Sequence, residues 1–411
     1  MSEENKKLPD AAQADYSEKD YQNLLNSVSP WKIAIPILLG LSVVVYMFIK
    51  GFKAEEFAKI SFQSHTYFWI FMAGVFVCVR HLCYMTRLRI VTEGHFSWWK
   101  CFELIIIWEF SSCITPSSVG GSAVSMFVIS QEKGMTAPRT VMIILYTVVI
   151  DTFFFLTALL AFFLTFGPIM IYPNLYDISN IFGNGWTSAF VVAYLFMFCY
   201  GSLICYGVLV NAGAMRAILN FLGKLPLINR FKATLASFGD DMVTASAELK
   251  GKGWKFHLGS ILATMGAWMS RFMILNCLIL AFVTFSDDLA VKNHYDSLFT
   301  AANTLDLNII EQQFFIYARE QAMYVLMAVS PTPGAAGAAE LAFLSFHNDY
   351  MPDEKTNITL ATIIATVWRM FTFYSYLLFG AIVVPRWVSS VIATRNAAAA
   401  KEVDTKMILD K

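Results

Sequence analysis

Two tracts rich in proline and glycine break long apolar stretches of this chain and decide how it folds. The first reads Ile-Thr-Pro-Ser-Ser-Val-Gly-Gly at positions 114–121, and the second reads Ser-Pro-Thr-Pro-Gly-Ala-Ala-Gly at positions 330–337. Proline removes a backbone donor and glycine weakens a helix. Irregular backbone at membrane depth is tolerated only where it is buried in protein or lines a wet cavity. A matched pair of broken segments in the two halves of a membrane protein therefore predicts a transport site.

The composition is that of an integral membrane protein. Hydrophobic residues make up 57% of the chain and charged residues only 15%, and most of the charges lie at the ends of long apolar runs. The formal net charge is zero, so no overall basic field indicates nucleic acid as a partner. The seven cysteines lie in apolar stretches without the spacing of a disulfide framework or a zinc site. The sequence predicts no metal site and no cofactor.

Six apolar runs are long enough to cross a hydrocarbon core of about 30 Å, which needs on the order of twenty helical residues. Two further apolar regions, 102–130 and 314–346, are each cut by one of the tracts. Each cut region is interpreted as a helical hairpin that returns to its side of entry, or as two short crossings. The predicted fold is therefore an all-α polytopic membrane protein with six full spans and two broken re-entrant hairpins. The predicted spans are Ile33–Phe52, Tyr67–Arg87, Val141–Tyr172, Ser188–Ala212, Leu258–Phe285 and Ile358–Val384.

The loop charges predict orientation, because short cytoplasmic loops retain lysine and arginine. Loops 87–100 and 133–139 and the long connection 216–255 carry such residues, whereas loop 173–186 has none and loop 286–313 is acidic. This pattern places both termini in the cytoplasm. It also predicts an inverted repeat, with the first hairpin entering from the cytoplasm and the second from outside. Three lysines that precede the second span oppose the scheme: Lys50, Lys53 and Lys59.

The predicted domain organisation has one membrane domain between two polar tails. Residues 1–30 are interpreted as a disordered cytoplasmic tail and residues 391–411 as a second tail, whose alanines are compatible with a short helix. Between them, residues 31–390 form the membrane domain. Its repeat halves are residues 33–172 and 188–384, joined by a cytoplasmic connection at about 213–256.

The two tracts and the spans that follow them resemble a known family. A Thr-Pro-x-x-x-Gly-Gly tract precedes a short helix and a span with an acidic position. A later Pro-Thr-Pro-Gly-x-x-Gly-x-x-Glu tract precedes a span with arginine and threonine. Together they resemble the flippase-like transmembrane domain of lysylphosphatidylglycerol synthases and its stand-alone relatives. The resemblance implies a protein that moves or presents amphipathic lipids.

The resemblance also implies which residues form the site. Ser122 and the Thr147-Val148 pair are departures, since many members have a glutamate and an acid-base pair there. No soluble domain that could aminoacylate a lipid follows the last span. The positions that match the family are Pro116, Gly120, Gly121 and Asp151 in the first half, and Pro333, Gly334, Gly337, Glu340 and Arg369 in the second.

Charged residues inside predicted spans need a partner or a function, because each costs about 2.5 to 3.5 kcal/mol to insert. Glu340 and Arg369 are expected to pair, either as a structural ion pair or as one that exchanges partners with a lipid phosphate. Asp151 and Arg271 are interpreted as half-site partners or as snorkelling residues, and Arg80 as a snorkelling residue. Two further intramembrane acids are Glu103 and Glu109. The predicted substrate-binding set is Pro116, Gly120, Gly121, Asp151, Arg271, Pro333, Gly334, Gly337, Glu340 and Arg369.

The predicted function is transport rather than catalysis. The sequence has no His-Glu-x-x-His zinc helix, no Gly-x-Ser-x-Gly elbow and no phosphate-binding loop that ends in Lys-Ser/Thr. We therefore expect a non-enzymatic flippase for an anionic or headgroup-modified phospholipid or a lipid-linked glycan. The alternative is a membrane-embedded subunit or transferase that presents lipid to a separate lipid-modifying enzyme.

Overall fold

A computed structural model describes residues 54–58, 60–115, 117–226, 228–299, 305–353 and 355–409, together with Ser42, Tyr46 and Ile49. Every regular element in this part of the chain is helical, which confirms the predicted all-α polytopic fold. Five of its helical segments are long and apolar enough to cross a membrane, and they match five of the six predicted spans. The sixth, Ile33–Phe52, lies outside the described residues except for the three isolated positions. The five are Ser64–Val91, Ala137–Phe166, Gly185–Val210, Trp254–Thr284 and Ile358–Val391.

A short helix at Ala54–Phe57 precedes thirteen longer helices in the described part of the chain. They are α1 (Ser64–Val91), α2 (Trp98–Ile114), α3 (Ser117–Ser130), α4 (Ala137–Phe166), α5 (Gly185–Cys205), α6 (Ala212–Leu222), α7 (Lys232–Lys250), α8 (Trp254–Ile279), α9 (Leu289–Phe299), α10 (Ile309–Ala328), α11 (Ala338–Phe346), α12 (Ile358–Arg369) and α13 (Ser375–Leu409). Turns of π-helix extend α5 and α8, and another at Met370–Tyr374 joins α12 to α13. Because α13 runs to Leu409, the segment expected to be a tail is helical in its backbone.

The first tract ends α2 and begins α3. Thr115 has an extended backbone, with φ −98° and ψ 145°, because a residue that precedes proline is disfavoured in the helical region. The chain then re-enters a helix at Ser117. The tract is therefore a true break between two helical arms and not a kink within one helix.

The second tract separates α10 from α11 by a short irregular segment. Gly334, Ala335 and Gly337 have φ of +56°, +54° and +82°, which is the left-handed region that glycine enters most easily. Gly337 is the residue before α11, and its backbone N–H donates to Glu340 Oε2 at 2.8 Å. The glycines of this tract thus allow a reversal that ordinary residues resist.

Both ends of the first hairpin, α2–α3, lie on the same side of the molecule. Lys100, near the start of α2, binds Glu132, just after α3, with 3.0 Å between Nζ and Oε1. His95 Nε2 lies 2.9 Å from the backbone oxygen of Lys133. The chain therefore returns to the side from which it entered.

The second hairpin, α10–α11, also returns to its side of entry. Helix α9 contacts both ends of it: Tyr295 Oη donates to Gln312 near the start of α10 at 3.0 Å, and His294 Nε2 lies 3.1 Å from the backbone oxygen of Asn348 after α11. Arg319, in the middle of α10, donates to the backbone oxygen of Phe346 at 2.7 Å. Helix α11 therefore covers only the inner half of α10.

The two hairpins enter from opposite faces. The basic-loop face holds loops 92–97 and 131–136 and the described part of the connection between α5 and α8. The acidic-loop face holds loops 167–184, 286–299, 305–308, 347–353 and 355–357. Helix α1 begins at the acidic-loop face, where Gln63 donates to Asp287, and ends at the basic-loop face, where Glu93 binds Lys252 at 2.9 Å. Helix α8 begins beside Lys252 and runs the other way. Since α1 and α8 occupy the same position in the two halves, the halves are related by inversion.

Each hairpin has its own buried core. The cluster around the first hairpin includes Ile106, Phe110 and Ile143, and the cluster around the second includes Phe315 and Phe343. Ala335 of the second break belongs to one cluster, and Cys113 beside the first break belongs to the other. Packing therefore holds the tips together while the polar groups near them face a space between the two halves.

Candidate functional site

The two breaks touch. A Cβ atom on Gly334 would lie 2.8 Å from the backbone oxygen of Cys113 at the end of α2, so no larger residue fits there without a shift. In the first hairpin, a Cβ atom on Gly121 would lie 2.8 Å from Ser112 Cα, and one on Gly120 would lie 2.8 Å from Thr115 Cβ. These glycines allow close approach of α3 to α2 and of the second break to the first.

A cavity of about 160 Å³ lies beside this contact, between the two halves of the protein. Its charged lining residues come from five different helices. They are Arg87 on α1, Glu109 on α2, Asp151 on α4, Arg271 on α8 and Arg369 on α12. Hydroxyl groups of Ser112, Ser122, Thr147 and Thr372 line the same space. The cavity is therefore polar although it lies inside an apolar bundle.

Asp151 is held by two donors from different helices. Arg87 Nη1 lies 2.6 Å from Asp151 Oδ1, and the indole Nε1 of Trp268 donates to the same oxygen at 2.8 Å. Arg87 Nη1 also lies 3.3 Å from Thr264 Oγ1. Through Trp268 and Thr264, the pair of Arg87 and Asp151 joins the first half of the protein to α8 at the wall of the cavity.

The predicted pair between Glu340 and Arg369 is present. Arg369 Nε lies 2.9 Å from Glu340 Oε1, and the side chains are only 2% and 1% exposed, respectively. The guanidinium carbon of Arg369 lies 3.9 Å from the centre of the Phe373 ring, and Nη2 is 3.4 Å from the backbone oxygen of Gly334. Arg369 thus connects the second break to α12, with its carboxylate partner behind it.

A third pair was not expected from the sequence. Arg80 is fully buried and donates to Glu109, instead of snorkelling to a membrane surface. Its guanidinium carbon lies 5.4 Å from the ring centre of Tyr84 and 4.9 Å from that of Tyr376. Arg80 and Arg87 are seven residues apart on α1, a spacing that places both on one helical face and that could have predicted a shared role.

Arg271 is the exception among these arginines. Its guanidinium carbon lies 4.7 Å from the ring centre of Tyr324 and 5.7 Å from that of Trp268. Within the described part of the chain, no carboxylate comes within ion-pair distance of it. Of the four arginines in and behind the cavity wall, Arg80, Arg87 and Arg369 each form an ion pair and Arg271 does not.

An apolar groove of about 140 Å³ continues from the polar cavity. The two spaces share Asp151, Trp268 and Tyr324 as wall residues. The rest of the groove is lined mainly by apolar side chains, which include Phe155, Phe196, Tyr200 and Val329. Phe196 on α5 is 52% exposed, so the groove opens at the outer surface of a membrane span.

The structure brings together most of the predicted binding residues, but only some of them line the cavity. Four of them line the cavity directly, and Glu340 lies behind Arg369. Gly120, Gly121 and Gly337 shape the breaks, and Pro333 lies within the second break. Pro116 is outside the described residues. The four lining residues are Asp151, Arg271, Gly334 and Arg369. The sequence analysis missed Arg87, which it assigned to a loop because the predicted span ended there.

The two departures from the family pattern are on the cavity wall. Ser122 and Val148 line both the polar cavity and the groove, and Thr147 lines the cavity. The first half therefore contributes fewer charges to this space than the resemblance implies.

Among the described residues, no group of three or more His, Cys, Asp or Glu side chains is placed to hold a metal ion.

Comparison with known proteins confirms the family resemblance of the sequence. The model of the lysylphosphatidylglycerol synthase transmembrane region matches residues 33–380. A UPF0104 membrane protein of Archaeoglobus fulgidus is 23% identical over 355 residues, which cover 85% of this chain and 94% of the relative. No solved structure matches the chain significantly. The chain belongs to the family of the lysylphosphatidylglycerol synthase transmembrane region.

Proposed function

We propose that this chain transports an anionic amphiphile, such as a phospholipid, from one leaflet of the membrane to the other. The observation that carries the proposal is the continuity of a polar cavity, which contains an arginine without a carboxylate partner, with an apolar groove that opens on the membrane side. An amphiphile needs both environments at once. Its headgroup would occupy the cavity and an acyl chain would occupy the groove.

Arg271 is the residue that we expect to bind the headgroup. A guanidinium group can hold two phosphate oxygens in a planar fork, and its interaction is strong where water is excluded. Because Arg271 stacks on Tyr324 and Trp268, its position is set without an ion pair that a substrate would have to break. Arg87 and Arg369 already have carboxylate partners and would exchange them only as the headgroup moves past.

The inverted halves provide a way to expose this site alternately to the two faces. The breaks meet between the cores of the two hairpins, and rocking of one half against the other around such a contact is the usual route of alternating access. The sequence has no phosphate-binding loop for a nucleotide. We therefore propose a transporter driven by gradients or by a partner, and not an enzyme.

The proposed orientation follows from the loop charges. We place the basic-loop face and both termini in the cytoplasm, and the protein in the cytoplasmic membrane of a bacterium. A headgroup-modified phospholipid or a lipid-linked glycan would satisfy the same cavity and groove. A separate lipid-modifying enzyme at the basic-loop face would be a compatible partner.

Reconstitution tests the proposal and separates it from lipid presentation. The purified chain is inserted into liposomes that contain fluorescent phosphatidylglycerol or phosphatidylcholine, and an impermeant reductant reports which labels reach the outer leaflet. We expect faster exchange of the anionic lipid than in empty liposomes and a smaller effect on the zwitterionic lipid. Exchange no faster than in empty liposomes for any headgroup would reject transport and leave lipid presentation as the function.

A further inference from the structure

A buried acid outside the predicted site lies next to the cavity. Glu320 on α10 is 2% exposed. Its Oε1 accepts a hydrogen bond from the indole Nε1 of Trp368 at 2.9 Å, and its Oε2 has no hydrogen-bond partner in the described part of the chain. A buried carboxyl group with one neutral donor and one free oxygen calls for an explanation.

The groups that face Glu320 come from several elements. Arg271 on α8 reaches this face of α10, because its guanidinium carbon lies 4.7 Å from the ring centre of Tyr324. Tyr317 lies one turn earlier on α10, and Tyr350 follows α11; both are within electrostatic range of Glu320. On α12, the arginine next to Trp368 is already paired with Glu340. Arg271 is thus the one facing cation in this set that has no carboxylate partner.

The position of Arg271 connects Glu320 to the cavity. Arg271 stacks on Tyr324, which lies four residues after Glu320 and therefore on the same face of α10. A long arginine side chain held there can turn either toward the cavity or along α10 toward the carboxyl group.

The protonation state of Glu320 decides which direction is favourable. An ionised carboxylate at this depth, with one neutral donor, has a large desolvation cost. Pairing with Arg271 would offset that cost, whereas a protonated carboxyl group needs no cation. The carboxylate of Glu320 and an anionic headgroup would therefore both bind Arg271.

We propose that Glu320 is a proton-binding site whose carboxylate competes with the anionic headgroup for Arg271. The inference rests on the proposed function and names its coupling ion. A proton from the aqueous phase adds to the carboxylate oxygen, and Arg271 is released to bind the headgroup. Loss of that proton lets the carboxylate pair with Arg271 and displace the anion. One proton accompanies each negative charge that is transported.

A second buried polar group without a full set of partners lies at the end of α11. His347 follows α11 and is fully buried, and its Nε2 has no partner in the described part of the chain. Its Nδ1 bonds the hydroxyl of Tyr350, one of the groups that face Glu320. Buried polar atoms that lack partners are the sites where bound water would be stabilised.

Exchange of fluorescent phosphatidylglycerol at a series of equal inner and outer pH values tests the competition. For the unmodified chain, we expect exchange to fall by up to about tenfold per pH unit above the range in which Glu320 loses its proton. Glu320→Gln keeps an acceptor for Trp368 but cannot ionise, so its exchange should not fall with pH. Glu320→Asp should retain a pH dependence. The matched control is Glu311→Gln, an exposed cap on the same helix, which should keep the unmodified profile.

Infrared difference spectroscopy tests the proton site without any lipid. A protonated-carboxyl band should disappear as the pH rises in the unmodified chain and in Glu311→Gln, and it should be absent from Glu320→Gln. The same band in Glu320→Gln would overturn the proton site even if lipid is transported. Loss of the band in that variant supports the site even if no lipid moves, in which case only the transport proposal fails. Lipid exchange with the same pH profile in Glu320→Gln and in the unmodified chain would overturn the coupling.

Discussion

Gly334 of the second break packs against the backbone oxygen of Cys113, the residue before the last one in α2. The two halves of the repeat thus contact each other through backbone at the level where both hairpins stop being helical. Such a contact needs a residue without a side chain and with a left-handed conformation. The cavity beside this contact is lined by Arg369 from one half and Glu109 from the other.

Gly334→Ala should destabilise the protein by about 1–3 kcal/mol, because alanine is strained at a φ of +56° and its Cβ would clash with the Phe373 ring and the Cys113 oxygen. Thermal unfolding in detergent measures the change. Gly74→Ala, in the interior of α1, is the matched control. The nearest atom to its added Cβ would be Phe371 Cε1, at 3.9 Å. Equal melting temperatures for the two variants would mean that the breaks do not pack as described.

The buried pair of Arg369 and Glu340 predicts different outcomes for single and double variants. Arg369→Ala leaves Glu340 buried without its cation, so we expect a loss of about 3–5 kcal/mol of unfolding free energy. The double variant Arg369→Gln with Glu340→Gln removes both charges and should fold nearly as well as the unmodified chain. If Arg369 must exchange Glu340 for the headgroup during transport, the double variant should transport lipid more slowly than the unmodified chain although it folds well. Normal transport by a well-folded double variant would make the pair purely structural.

Val148→Trp should close the passage between the cavity and the groove. Val148 lines both spaces, and a bulky indole there would separate the headgroup site from the acyl-chain site. We expect at least tenfold slower exchange of long-chain phosphatidylglycerol, because about 1.4 kcal/mol of added barrier is enough for a factor of ten. Phe198→Trp, at an exposed position on α5 that lines neither space, is the control and should transport normally. Unimpaired exchange in Val148→Trp would show that the acyl chain takes another path.

The inverted arrangement predicts the side from which two loops can be labelled. In a chain whose seven cysteines are replaced by serine, Lys133→Cys and Asp177→Cys report the basic-loop and acidic-loop faces, respectively. An impermeant thiol reagent should reach only Asp177→Cys from outside the cell, and Lys133→Cys should react only after the membrane is opened. Labelling of both from the same side would contradict the topology.

Local chemistry made part of this structure predictable from the sequence. Proline at position 116 disfavours a helical Thr115, and the glycines of the second tract permit left-handed backbone, so both breaks could be located in advance. The pair of Glu340 and Arg369 was also predictable, because each charge lies in an apolar region and needs a partner. The breaks depend on residues that are near in sequence. The ion pair depends on the free-energy cost of burying an unpaired charge, which applies throughout the membrane interior.

Other features depend on which helices pack together, and the sequence does not contain them in a local form. Arg80 lies near a predicted span end, where snorkelling is common, yet the fold places Glu109 of α2 against it. Arg87 lay at the edge of its predicted span, but α1 continues to Val91 and directs it toward Asp151. The absence of a carboxylate partner near Arg271 in the described chain follows only from the arrangement of α4, α8 and α10.

The most direct test of the central claim, that Arg271 binds the anionic headgroup, is the exchange rate of phosphatidylglycerol in liposomes with Arg271→Ala. At a pH at which Glu320 is protonated, we expect at least tenfold slower exchange at unchanged thermal stability, since Arg271 then has no ion-pair partner whose loss would unfold the protein. Arg216→Ala, which removes an exposed arginine on α6 paired with Asp240, should exchange lipid at the unmodified rate. Equal exchange by Arg271→Ala and the unmodified chain would contradict the account.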